Sequence, residues 1–252
     1  MRRRAEVLTV QRALVEANSA HPLLMKIEQH TTLPPEDRDL LGRMLADIRT
    51  LDGRRDIIRV AENPEFVHLM IEGWACRYSI VDDGKRQITA FLVPGDFCDA
   101  HIIMFGQMDH SIGALGQARV AFISKDLMAE VAERPSLTRA LWWASLVDEG
   151  VLRAWLVNMG RREASDRVAH LVCELHARLL SVGMGGNNTF EMPLTQEDLG
   201  DALGLSPVHI NRVLRRLRER GLMTFSNRKV VIQDLDALKQ VGGFNPLYLH
   251  LN

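Results

Sequence analysis

The stretch from Leu194 to Leu217 constrains the fold of this chain more than any other. Thr195 followed three residues later by Asp198 is a capping-box pattern that starts a short helix. Leu199, Ala202 and Leu203 fall on one face of that helix, and Gly204 suits the left-handed residue that ends it. Ser206-Pro207 then caps and opens a second helix. Ile210, Val213, Leu214 and Leu217 follow at i, i+3, i+4, i+7 and predict its buried stripe. Two short helices joined by a tight glycine-containing turn are a helix-turn-helix. Leu222–Phe225 and Lys229–Ile232 read as two strands about a Ser226-Asn227-Arg228 turn, so a wing follows.

Charge gives this element its chemistry. Between Ser206 and Lys229 stand Arg212, Arg215, Arg216, Arg218, Arg220, Arg228 and Lys229 against Glu219 alone, a local excess of six positive charges. The whole chain carries −1, so affinity for a polyanion must come from this patch. Such a helix fits the major groove of double-stranded DNA. Arg212 is placed to read a base edge, assisted by His209 and Asn211, with Val208 facing a thymine methyl. The alternative for Arg212 is a phosphate contact. Arg215, Arg216, Arg228 and Lys229 read as phosphate contacts, joined by Thr195, Gln196 and Ser206 at the helix starts.

The 252 residues allow two domains with a linking helix. Residues 1–20 read as helical or frayed, and short helices are expected near 23–29 and 36–47. From Ile57 the period shifts, with strands expected at 57–60, 66–71, 74–81, 86–93, 111–115 and 118–124. Asp83-Gly84 marks a hairpin, and strands at this spacing indicate an antiparallel sandwich or roll. Helix returns at 125–134, then a long helix over 136–159 with Asn158-Met159-Gly160 as a hinge, then another over 164–180. Leu141, Trp142, Val151, Leu152, Trp155 and Leu156 cover more than one side of the long helix. Either a second copy of the chain pairs on it as a homodimer, or it is one broad core face of a monomer. The expected fold class is α+β, divided as 1–134 (helices and β-roll), 135–160 (dimerisation helix and hinge) and 161–252 (winged helix-turn-helix).

No apolar run approaches 18 residues and no apolar segment follows the basic start, so neither a membrane span nor a signal peptide is expected. Cys76, Cys98 and Cys173, odd in number and far apart, suit a reducing cytoplasm. Cys98 with Asp99, His101 and His110, or His170 with Cys173 and His176, match no closed zinc spacing; buried cysteines and ordinary histidines are expected, with no metal and no cofactor. Cys98 as a redox sensor stays open. No nucleophile–base constellation, metal motif or phosphate-cradling glycine loop points to an enzyme.

A β-roll, a long helix and a C-terminal winged helix-turn-helix together resemble the Crp/Fnr family of bacterial transcription regulators, from His21 to the C-terminus. The resemblance rests on Ile71–Tyr78, Asp83–Ile88, Pro94–Phe97, Gly160–His170 and Leu194–Leu217. It implies a cyclic-nucleotide-binding-like roll and a cytoplasmic homodimer on a two-fold-symmetric operator that contacts RNA polymerase. It also implies an effector pocket, placed at Gly95, Asp96, Phe97, Cys98, His110 and Ser111. The family's cyclic-AMP receptors hold the cyclic phosphate with an Arg-Ser pair. Here Asp109-His110-Ser111-Ile112 has no arginine, so cyclic AMP is not expected as the switch. No Cys precedes Cys76, so the iron–sulfur ligands of the oxygen-sensing branch are missing. The second reading is a small-molecule or redox sensor whose roll binds an unidentified ligand and controls DNA binding allosterically.

Overall fold

The computed structural model describes residues 21–251; the helical reading of 1–20 lies outside the described residues. Two short helices lead, α1 (Pro22–Glu28) and α2 (Pro35–Met44), each with proline in its first turn. The strands β1 (Ile48–Leu51), β2 (Asp56–Ile58), β3 (Phe66–Glu72), β4 (Ala75–Ile80) and β5 (Arg86–Leu92) come next. After the one-turn helix α3 (Ile102–Phe105), β6 (Ser111–Ala114) and β7 (Ala118–Ser124) complete the roll. It consists of two antiparallel sheets, ordered β1-β7-β3 and β2-β6-β4-β5. Val67, Leu69, Ile88, Phe91, Ile112 and Val120 are buried in it. The hairpin forms at Asp83-Gly84, joining β4 to β5 with Ile80 opposite Arg86. The strand β1 and the helix α3 were not expected from the sequence. Ile48–Leu51 follows a helix with no turn signal between, and two of its four side chains face solvent.

The helices α4 (Lys125–Ala132) and α5 (Pro135–Arg161) follow, and α5 spans 27 residues, about 40 Å at helical rise. The hinge expected at Asn158-Met159-Gly160 is not a break. The Asn158 carbonyl accepts from Arg162 N at 3.3 Å, closing the last turn, and the chain becomes extended only at Arg162. Val147, Val151, Trp155 and Asn158 point inward from α5. The opposite side leaves Trp142, Leu146, Leu152, Leu156 and Val157 half-exposed or more. Val151 and Trp155 are therefore corrected as partner-facing residues: both are buried in their own chain, with the Trp155 ring 5.8 Å from Phe91.

The remaining elements are α6 (Ala164–Ser181), β8 (Thr189–Glu191), α7 (Gln196–Leu203), α8 (Pro207–Glu219), β9 (Met223–Ser226), β10 (Lys229–Ile232), α9 (Leu235–Gly242) and a 3-10 turn at Pro246–Leu249. The wing has three strands, ordered β8-β10-β9, one more than expected. A three-residue strand such as β8 is too short to show alternation. Among the described residues no helix is long and apolar enough to cross a membrane.

A buried charge network ties these layers together. Gly95, at φ +88, turns the chain so tightly that a Cβ there would sit 3.0 Å from the Pro22 carbonyl. Asp96 then points inward, where Lys26 Nζ and Arg178 Nη2 each donate to its carboxylate at 2.6 Å. Burial pushes this carboxyl up, but Lys26 and Arg178 outweigh it and hold it down to about 2. Its stabilisation is thus complete above the ordinary aspartate pKa of about 4 and is lost as pH falls toward 2. Replacing Asp96 by Asn is expected to cost about 3–5 kcal/mol, because two buried cations lose their counter-charge. Urea unfolding at neutral pH reads this loss, and unchanged stability would contradict the network's role.

Candidate nucleic-acid interface

The helix-turn-helix forms because every local signal is satisfied. Thr195 N donates to Asp198 Oδ2 at 2.7 Å, and Asp198 N donates to Thr195 Oγ1 at 3.1 Å, completing the capping box of α7. Gly204 takes φ +64 at the end of α7. The turn also needs Gly200, which the sequence reading passed over: a Cβ there would lie 2.4 Å from the Leu205 carbonyl oxygen. Ser206 Oγ accepts from His209 N at 3.2 Å and starts α8. Ile210, Val213 and Leu217 are buried, whereas Leu214 is only half-buried.

What remains outward on α8 is the candidate reading surface. Val208, Asn211, Arg212 and Arg215, with Gln196 and Pro207, outline one shallow depression. Asn211 Nδ2 donates to Gln196 Oε1 at 3.4 Å, so the start of α7 is tied to the reading face. Arg215 lines this depression with Arg212, whereas His209 and Arg216 do not. Arg215 Nε stands 3.5 Å from Glu219; Arg212, Arg216, Arg228 and Lys229 have no carboxylate partner among the described residues.

Thr195 is corrected as a phosphate donor: its hydroxyl donates to Asp198 Oδ2 at 2.8 Å and is spent on the cap. Ser206 accepts in its cap and keeps its O–H free to donate. At the wing tip Asn227 (φ +50) and Arg228 (φ +59) form a two-residue turn with both residues left-handed. Arg228 is a non-glycine residue in that region, so its backbone is strained, and it lines a groove shared with Trp74 and Gln117 of the roll.

Behind the reading surface, Asp198 does a second job. Arg54 clamps it in bidentate fashion (Nη1–Oδ1 2.9 Å, Nη2–Oδ2 2.7 Å) and Arg86 Nη2 donates to Oδ1 at 2.8 Å. Arg86 Nε also donates to Asp201 Oδ2 at 2.8 Å. Burial raises the Asp198 carboxyl, but the hydrogen bonds from Arg54 and Thr195, with the Arg54 charge, together outweigh this and hold it at about 2. The roll thus grips the first helix of the motif through ion pairs that span more than a hundred residues of sequence and left no local signal.

The expected effector pocket is only partly assembled. Gly95, Asp96, Phe97 and His110 line a cavity of about 540 Å³ between the roll and α5. Cys98 and Ser111 do not line it. Ser111 Oγ accepts from Val60 N at 3.0 Å, and Cys98 is fully buried. Burial, then Asp99, pushes the Cys98 thiol well up. The sequence reading missed Lys26, Arg77 and Arg178 in the cavity wall. Each is already engaged: Arg77 Nη1 with Asp148 at 2.9 Å, and Lys26 and Arg178 with Asp96.

Comparison with known proteins agrees with this geometry. Residues 166–241 match the family described as the Crp-like helix-turn-helix domain, and residues 48–134 match the cyclic nucleotide-binding domain. The nitrogen fixation regulation protein FixK of Bradyrhizobium diazoefficiens is 28% identical over 166 residues, covering 66% of this chain and 69% of that protein. The anaerobic regulatory protein of Haemophilus influenzae is 23% identical over 215 residues, covering 85% and 83% respectively. The structure of FixK2 from Bradyrhizobium japonicum shares the fold at a TM-score of 0.67 and 24% identity, covering 77% of this chain and 96% of that one.

Arg212→Ala is expected to weaken a specific duplex by about 1–3 kcal/mol and to relax one base position. Arg216→Ala is expected to weaken specific and random duplexes alike and to lower the salt slope by about one unit. Equal losses on both duplexes for Arg212→Ala would remove it from base reading. Arg228→Gly separates two effects: relief of left-handed strain raises stability by about 1 kcal/mol, while DNA affinity falls. Thermal unfolding beside a binding titration checks both signs.

Proposed function

The chain belongs to the Crp/Fnr family of bacterial transcription regulators, and from that footing we propose that it works as a cytoplasmic homodimer on a two-fold-symmetric operator and contacts RNA polymerase there. It is a DNA-binding transcription regulator, not an enzyme. The observation that carries the operator reading is the exposed α8 face, where Val208, Arg212 and Arg215 project together and Arg212 has no competing carboxylate. A helix of this width suits the major groove, and the same reading assigns Gln196, Ser206, Arg216, Arg228 and Lys229 to phosphates. The division at 1–134, 135–160 and 161–252 belongs to the same proposal.

Dimerisation rests on α5. Trp142, Leu146, Leu152, Leu156 and Val157 are 50–71% exposed along one side, interrupted by the Glu149–Arg153 ion pair. Five large apolar side chains exposed on one side of a helix, flanking a single ion pair, are characteristic of an interaction surface. A second copy of the same helix matches its length and its self-complementary ion-pairing residues. Leu141, half-buried, lines the cavity and sits at the margin of this seam. Two copies would set two recognition helices facing successive major grooves, roughly 34–36 Å apart.

The effector reading follows from the cavity. A cyclic phosphate entering it must leave water beside Asp96, Asp109, Asp148 and Glu149, while Lys26, Arg77 and Arg178 are already paired. Without an unpaired cation that transfer is costly, so the effector is not cyclic AMP. Arg86 does not line the cavity and is held by Asp198 and Asp201.

Leu152→Glu with Leu156→Glu is expected to give monomers in analytical ultracentrifugation and to abolish tight operator binding. Dimers of unchanged stability would place the interface elsewhere. Isothermal titration with cyclic AMP is expected to give no binding; micromolar binding that strengthens operator affinity would restore the cyclic-nucleotide reading.

A further inference from the structure

The loop that carries the cavity rim brings Asp109 beside His101 and His110. His101 ends the segment before α3, and Asp109-His110 lead into β6, so the intervening turn folds back on itself. Each of His101, Asp109 and His110 offers one donor atom, and these atoms all lie within 4.8 Å of one another. Asp109 Oδ1 is 2.5 Å from His110 Nδ1 and 3.8 Å from His101 Nε2. The two imidazole centroids are 5.3 Å apart with planes tilted by 35°. An ion bound at ordinary metal–nitrogen distance lies about 3 Å from each ring centre, so two rings at this separation can share one ion.

A second observation points the same way. His101 Nε2 and His110 Nε2 are both shielded from solvent and make no hydrogen bond. A buried polar atom without a partner costs free energy and calls for an occupant. The neighbours first suggested by sequence are otherwise engaged. Asp99 accepts from His68 N and pairs with His68 Nδ1, each at 2.7 Å, and Cys98 is fully buried.

We infer that His101, Asp109 and His110 form a binding site for one first-row divalent transition-metal ion on the wall of the sensor cavity. Two imidazoles and one carboxylate select Fe(II), Co(II), Ni(II) or Zn(II) over Mg(II) and Ca(II), which take oxygen donors. Three protein ligands leave coordination positions open. All three residues line the cavity of about 540 Å³, whose far wall is α5, so a small donor ligand reaching the ion would also touch the long helix at Leu141 and Leu152. The inference stands on the loop geometry and does not depend on how the chain binds DNA.

The test uses full-length protein without an affinity tag, stripped with chelator and titrated with Co(II) under anaerobic conditions. Visible d–d absorption and equilibrium dialysis are expected to give one ion per chain. His101→Gln and His110→Gln should each weaken binding roughly tenfold or more, and Asp109→Asn by a similar factor. His250→Asn, an exposed histidine away from the cavity, should bind as the parent does. The Asp109 side chain is 84% exposed, so its variant reports even where a histidine variant fails to fold. No stoichiometric uptake by the parent, or one equivalent retained unchanged in Asp109→Asn and in whichever histidine variants fold, would overturn the site.

Discussion

Everything in this molecule is fastened through the buried carboxylates Asp96 and Glu174. Asp96 leaves the roll and meets Lys26 of α1 and Arg178 of α6. Arg178 also donates to the Phe91 carbonyl at 2.9 Å and lies 3.4 Å from Glu174. Glu174 in turn accepts from Trp155 Nε1 at 3.2 Å and from the Tyr248 hydroxyl at 2.8 Å. One run of charges therefore touches the leading helix, the roll, the long helix, the DNA-binding domain and the C-terminal turn. Such a network adds less stability than hydrophobic replacement would, because desolvation offsets most of the attraction. Its contribution is geometric: each polar atom admits few partners, so the layers can meet in only one way.

The same logic divides charge between the two sides of the helix-turn-helix. On the inner side, Arg54 and Arg86 of the roll neutralise Asp198 and Asp201. On the outer side, arginines of α8 and of the wing face solvent with little acid nearby. A chain of net charge −1 thus presents a strongly positive surface at the place where a groove would meet it. In the cavity, by contrast, Lys26, Arg77 and Arg178 are each paired with a carboxylate of the chain itself.

The helix-turn-helix was legible because its signals are local: the Thr195–Asp198 box, Gly204, Ser206-Pro207 and the Ile210 stripe each act within a few residues. The roll was legible from β-rich runs bounded by turns, apart from β1 and α3, which carry neither alternation nor a clear start signal. Periodicity said that α5 has two apolar faces but not which one the chain itself covers. Trp155 went to the interior because Phe91 and Glu174 receive it there, and those partners lie at distant positions in sequence. Arg178 and Arg86 were invisible as structural ties for the same reason. His101 and His110 were grouped by sequence with Cys98 and Asp99, but only the fold shows that Asp109 joins them while Asp99 turns to His68.

The central claim is that α8 reads sequence as one half of a symmetric pair. Selection of bound duplexes from a random DNA pool with the purified full-length protein tests it most directly. The account predicts enrichment of an inverted repeat with half-site centres about one helical turn apart, each containing a guanine lost from the motif in Arg212→Ala. A pool that stays unenriched, or one enriched only for a single asymmetric site, would contradict it.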